Sequence, residues 1–113
     1  MPSSFEQAVS ALPAPAAAVF RELDMHPDFD CAALRMQMTV RRRGEKVGGL
    51  NRRTGEWYLS KVYVANHDAA KLAERHGFAL LLKRPDHFYW GRSGPDASDA
   101  FLSAVRDIAR CRP

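Results

Sequence analysis

Residues 34–41, LRMQMTVR, alternate apolar and polar side chains without a break. Leu34, Met36, Met38 and Val40 fall on one side, and Arg35, Gln37, Thr39 and Arg41 on the other. This is the period of a half-buried strand. Arg43-Gly44-Glu45 reads as a turn, and Lys46 to Asn51 as a second strand. Gly48 and Gly49 inside it mark a bulge or a close backbone approach. The stretch 51–55 (NRRTG) reads as a hairpin loop with Gly55 suited to a positive φ. Residues 56–64 (EWYLSKVYV) are dense in aromatic and β-branched residues and read as a third strand. One face of it carries Tyr58, Ser60, Val62 and Val64, the other Trp57, Leu59, Lys61 and Tyr63. Three strands joined by short loops imply an antiparallel meander.

Helical patterns flank this sheet. Ser3 and Glu6 have the spacing of a capping box, and Phe5, Ala8, Val9 and Leu12 follow on one helical face. A second helix is expected to begin near Pro15, with Ala16, Val19, Phe20 and Leu23 inward, and to close before His26-Pro27-Asp28. Asn66 is placed to cap a short helix that ends at Gly77. Residues 78–82 and 87–91 (HFYWG) read as strands around an Arg84-Pro85-Asp86 turn. Ser98 is expected to cap a last helix with Phe101, Ala104, Val105 and Ile108 inward. The expected order is α-α-β-β-β-α-β-β-α. This is one α+β domain with a mainly antiparallel sheet of about five strands and helices on one face. Residues 1–27 form its helical head, 34–92 its basic sheet region and 97–111 its final helix.

With 113 residues the chain has room for one core. Its 46% hydrophobic and 27% charged residues exclude a wholly disordered chain. No apolar run approaches the roughly 20 residues of a membrane span. The N-terminus lacks a basic stretch leading into a continuous apolar one, so a cytoplasmic location is expected. Cys31 and Cys111 are too few for a disulfide framework and are expected to be reduced, partly buried thiols. The formal net charge of +4 is unevenly spread. Residues 1–34 carry one base and five acids, residues 35–92 carry thirteen bases and five acids, and the remainder balances. A basic middle of this kind points to a polyanionic partner, or to an acidic head packed against it.

Seven bases, Arg35, Arg41, Arg42, Arg43, Lys46, Arg52 and Arg53, fall within nineteen residues. Guanidinium groups suit phosphate oxygens because their forked donors bind in pairs. Lys61, Lys83, Arg84 and Arg92 add charge from later strands. Trp57, Tyr58, Phe88, Tyr89 and Trp90 are interleaved with them and could stack on unpaired bases. Enzymatic motifs find no support. His26, His67, His76 and His87 make no metal-binding pair of helical spacing. Asp86 lacks the following acidic and basic residues of a metal-dependent nuclease. Ser60 and Lys61 point to opposite faces and cannot act as a pair. No catalytic residue, metal or cofactor is assigned.

Ser60-Lys61, the helical segment 67–76 (HDAAKLAERH) closing on Gly77-Phe78, the stretch 84–90 (RPDHFYW) and the final amphipathic helix resemble the C-terminal half of the YjbR/MmcQ-like family. The similarity covers residues 61–110, under half of the chain. It implies a small double-wing α+β domain and DNA binding, and it carries over no catalytic residue.

The sequence therefore leads to a non-enzymatic module that contacts nucleic acid, DNA or RNA, through a basic sheet and its hairpin tips. The expected contacts are Arg41, Arg42, Arg43, Lys46, Arg52, Arg53, Lys61 and Arg84, with Trp57 and Tyr89 as stacking platforms. A second reading presents the same sheet to an acidic protein surface, as an inhibitor or adaptor would. A third, a metal-assisted hydrolase, requires His67, His76 and His87 to converge with carboxylates. A homodimer is expected if helices leave the Trp57/Leu59/Tyr63 face uncovered.

Overall fold

A computed structural model of the chain describes residues 4–60, 68–83 and 88–110. The elements are α1 (Ser4–Ser10), α2 (Ala14–Asp24), β1 (Phe29–Ala33), β2 (Gln37–Arg42), β3 (Glu45–Asn51), β4 (Trp57–Ser60), α3 (Asp68–Arg75), β5 (Ala79–Lys83), β6 (Phe88–Arg92) and α4 (Ala97–Arg110). The strands form one sheet in the order β1-β2-β3-β4-β6-β5, with every neighbouring pair antiparallel. The α+β class, the helices on one face and the meander agree with the sequence. The sheet has one strand more than expected.

The extra strand is β1. Its residues (FDCAA) alternate inward and outward, but the inward ones are mostly small, so the pattern is faint. The stronger alternation at 34–41 runs straight across a turn. Leu34 N donates to Gln37 O at 2.8 Å and closes the β1–β2 connection there. Leu34 and Met36, expected on the buried face, are consequently 47% and 52% exposed. Periodicity does not register a turn whose residues keep the same alternation.

Local rules placed the other boundaries well. Pro13 caps α2 and Pro15 lies in its first turn, where the missing N–H costs nothing. Gly77 adopts φ 79°. Phe78 N bonds Ala73 O at 2.9 Å and Gly77 N bonds Glu74 O at 3.0 Å, the paired bonds of a Schellman stop. Arg43 and Gly44 have φ 53° and 85°, the two left-handed positions of a two-residue hairpin turn. Ser98 does not cap α4. It lies buried within the first turn, and Asp96 occupies the capping position, its carbonyl accepting from Ala100 N at 3.0 Å. Ser3 and Asn66 lie outside the described residues.

The core lies between the sheet and α1, α2 and α4. Val9, Phe20, Leu23, Met38, Val40, Val47, Phe101 and Val105 are almost fully buried there. Trp57 stacks on Phe20 of α2 at 5.3 Å and meets Phe101 of α4 at 4.6 Å. The Trp57/Leu59 side of β4 is therefore the helix-covered side. The condition for the expected homodimer, a Trp57/Leu59 face left uncovered by helices, is not met. Among the described residues no helix packs on the Tyr58/Ser60 side, and Tyr63 lies outside them. Cys31 is a half-buried free thiol, pushed up to about 12 by burial and by Asp24 and Asp30.

The glycine pair in β3 answers to close approach. A Cβ on Gly48 would sit 2.2 Å from Tyr58 O, and one on Gly49 would sit 2.0 Å from Met38 O. Both obstacles are backbone. An extra residue in β3 opposite Val40–Arg41 forms a bulge beside them. Gly49→Ala is expected to destabilise the fold by about 2 kcal/mol or more, as overpacking against backbone does. Gly44→Ala, with open space around its Cβ, is expected to cost about 1 kcal/mol from its positive φ alone. Urea unfolding of the two variants checks the order.

Candidate functional site

The register separates the basic residues predicted from sequence. Arg42 pairs with Phe29 and Glu45 across the strands, on the helix-covered face, whereas Arg41 pairs with Asp30 and Lys46 on the open one. Arg42 is 3% exposed. Its guanidinium donates to Ile108 O at 2.8 Å and to Ala109 O at 3.3 Å, carbonyls of the last turn of α4 that have no partner within the helix. A cation at a helix C-terminus also meets the negative end of its dipole. Arg42 is thus a capping residue and is not available to a ligand. Trp57, between Phe20 and Phe101, is likewise interior. Both expectations are corrected, and for one reason: adjacent strand residues face opposite ways, and composition does not say which.

The other cations are outside. Arg43 is exposed in the β2–β3 turn, and Arg41 is exposed beside it, donating to Gly44 O at 3.3 Å. Arg52 and Arg53 are exposed in the β3–β4 loop, where Arg52 donates to Leu34 O at 2.8 Å. These two groups stand at opposite ends of β3. Seven residues at about 3.3 Å each separate them by roughly 20 Å. Lys61 and Arg84 lie outside the described residues, as do His67 and His87. His76 meets Asp107 of α4 at 2.6 Å. Among the described residues no three His, Cys, Asp or Glu side chains come together as a metal group. The acidic head meets α4 through Glu22–Arg106 at 2.7 Å, and it meets the basic strands through β1, where Asp30 lies opposite Arg41.

Between the two ends, the open face carries an ordered polar cluster. Gln37 of β2, Lys46 and Asn51 of β3, Tyr58 of β4 and Tyr89 of β6, with Met36 and Glu56, line a depression of about 440 Å³. The Tyr58 hydroxyl donates to Gln37 Oε1, and Lys46 Nζ donates to the same oxygen at 3.4 Å. Lys46 Nζ also lies over the Tyr58 ring at 5.1 Å and the Tyr89 ring at 6.0 Å. This is cation–π distance. The two rings meet edge-on at 6.0 Å. Burial, with the neighbouring Arg41 charge, holds Lys46 below the usual lysine range. Burial and Tyr89 push the Tyr58 phenol up, so it stays a neutral donor.

Sequence reasoning found Lys46 and Tyr89 but passed over Gln37 and Asn51. The available signal was parity. Gln37 shares its strand face with Arg41, and it lies opposite Asn51 in the ladder. Gly49, opposite Tyr58 on the same face, leaves room for the phenol to reach Gln37.

The two classes of arginine are separable by experiment. Arg42→Ala is expected to lower the unfolding free energy by about 2–3 kcal/mol, the cost of buried carbonyls losing a charged donor. Arg53→Ala, at an exposed loop position, is expected to stay within about 0.5 kcal/mol. Chemical denaturation of both variants reads the difference.

Among the described residues no helix is long and apolar enough to cross a membrane. Compared with known protein families, with curated proteins and with solved structures, the chain matches none.

Proposed function

We propose that the chain is a small module that binds single-stranded nucleic acid across the open face of its sheet. The observation that carries this reading is that, among the described residues, helices cover one face of the sheet and not the other. The uncovered face holds Arg41, Lys46, Tyr58 and Tyr89 between two arginine-bearing ends. Arg41 and Arg43 at one end and Arg53 at the other are exposed and suit phosphates; Tyr89 between them suits a base. Such a surface takes its affinity from phosphate contacts and aromatic stacking, with little sequence preference. A span of roughly 20 Å corresponds to about six nucleotides at the stacked spacing of 3.4 Å. The DNA binding implied by the YjbR/MmcQ-like resemblance points the same way.

Fluorescence anisotropy with labelled DNA and RNA 12-mers tests it. Binding is expected at about 50 mM salt, weakening with a log–log slope near −2 for three phosphate contacts on a single strand. Changing Arg41, Arg43 and Arg53 together to Ala is expected to abolish it and to leave the fold intact. Absence of binding by the unaltered chain at low salt overturns the reading.

A second reading, a protein partner, is favoured by one observation. Leu34 and Met36 are both about half exposed in the β1–β2 turn, and Met36 lines the depression. Affinity purification separates the two readings. Nucleic acid in the eluate supports the first, and a stoichiometric acidic protein held through this rim supports the second.

A further inference from the structure

The depression on the open face has a chemical character of its own. Its amide oxygens are already engaged. Gln37 Oε1 accepts from Tyr58 and Lys46, and Asn51 Oδ1 accepts from Arg53 N at 2.9 Å and Thr54 N at 3.1 Å. What these two amides have left to offer a ligand is N–H. Lys46 adds an ammonium, and among the described residues no carboxylate lies at ion-pair distance from it. Glu56 is the one carboxylate among the lining residues, and the remaining donors, set around a half-buried cation, ask for an oxyanion. Two tyrosine rings flank that cation within 6.0 Å of each other, and they ask for a flat, polarisable group. The volume, about 440 Å³, lies in the range of roughly 300–1,000 Å³ that holds small-molecule ligands.

We propose that this depression binds a small oxyanion carried on a planar ring, the chemistry of a nucleoside monophosphate, with Lys46 on the oxyanion and Tyr58 and Tyr89 against the ring. The site needs no extended strand, and so it goes beyond the reading above. The ligand can be a free nucleotide or the 5′-terminal nucleotide of a strand, since both present the same groups. Gln37 fixes the geometry from one side: one oxygen holds both the Tyr58 hydroxyl and the Lys46 ammonium, so ring and cation keep a set spacing. Asn51 closes the other side and belongs also to the loop that carries Arg52 and Arg53.

The groups that face Lys46 are Arg41 from β2, Tyr58 from β4 and Tyr89 from β6, with Glu56 at the lining. Burial and Arg41 disfavour its charged form in the empty site. A bound oxyanion favours that form. Affinity is therefore expected to fall as pH rises through the titration of Lys46. Removing the charge without a ligand is expected to relieve a penalty and not to create one, because the depressed group makes the fold less stable below its titration than above it. A residue that served only the fold would behave in the opposite way.

The probe is adenosine 5′-monophosphate, titrated into the intact chain and read by calorimetry and by the amide and tyrosine NMR signals of the depression. A dissociation constant of about 1 mM or tighter is expected, with adenosine and inorganic phosphate each at least about tenfold weaker. Lys46→Met is expected to lose at least about tenfold in affinity for the monophosphate while melting no lower than the unaltered chain. Competition by a 5′-phosphorylated oligonucleotide, but not by its 5′-hydroxyl counterpart, would assign the site to strand ends. Competition by neither would assign it to free nucleotide. Two outcomes overturn the proposal: no saturation by about 10 mM monophosphate, or equal affinity for adenosine and its monophosphate. The second comparison uses the unaltered chain, so it stands even where the Lys46 variant is lost to misfolding. Monophosphate binding without 12-mer binding would sink the strand-binding reading and leave this one in place.

Discussion

The packing of one indole ring organises this molecule. Trp57 opens β4 near the middle of the sheet and is held between Phe20 of α2 and Phe101 of α4. Aromatic contacts of this kind add about 0.5–1.5 kcal/mol each to the burial of the ring. Their larger effect is on register. With Trp57 turned to the helices, Tyr58 must face the other way, and a shift of one residue would exchange the two faces of the strand. The ladder carries that choice to Gly49 and Gly91 on one side of the sheet and to Leu50 and Arg92 on the other. The chemistry of the open face follows from which aromatic the helices retain.

A second constraint, the bulge in β3, works on the same alternation. Opposite Val40–Arg41 the strand carries one residue too many. Val47 is taken into the core, and Lys46 comes out on the face of Tyr58. Without the extra residue the lysine and the glutamine–tyrosine pair could not share one surface. The two glycines beside it let Tyr58 O and Met38 O approach as closely as they do. The depression thus depends on absent side chains as much as on present ones.

Much of this was legible in the sequence. The class, the helix limits near Pro15 and at Gly77, the turn at Arg43-Gly44 and the crowding at Gly48-Gly49 each follow from a local rule that tertiary contacts did not override. Four things were not legible. β1 was hidden because FDCAA presents little apolar contrast and its neighbour LRMQMTVR keeps alternating through a turn. The outward face of β4 could not be assigned, and Trp57 was taken for a ligand contact, because both of its faces are rich in aromatics and only the helices decide between them. Arg42 looked like its neighbours because a charged residue in a basic run does not announce that a distant helix end needs a donor. Gln37 and Asn51 drew no attention because an amide gains its meaning from what its oxygen already holds.

The Arg42 cap has a consequence for motion. The last turn of a helix ordinarily frays, because its carbonyls have no intrahelical partner. In this chain the final carbonyls of α4 are tied by a buried guanidinium to β2, one residue before the turn that carries Arg43. Opening the β2–β3 hairpin at Arg42 therefore takes from the end of α4 the donor that holds its last carbonyls. Amide exchange near the end of the last helix would then report on the hairpin tip, as exchange does within one cooperative unit of local stability.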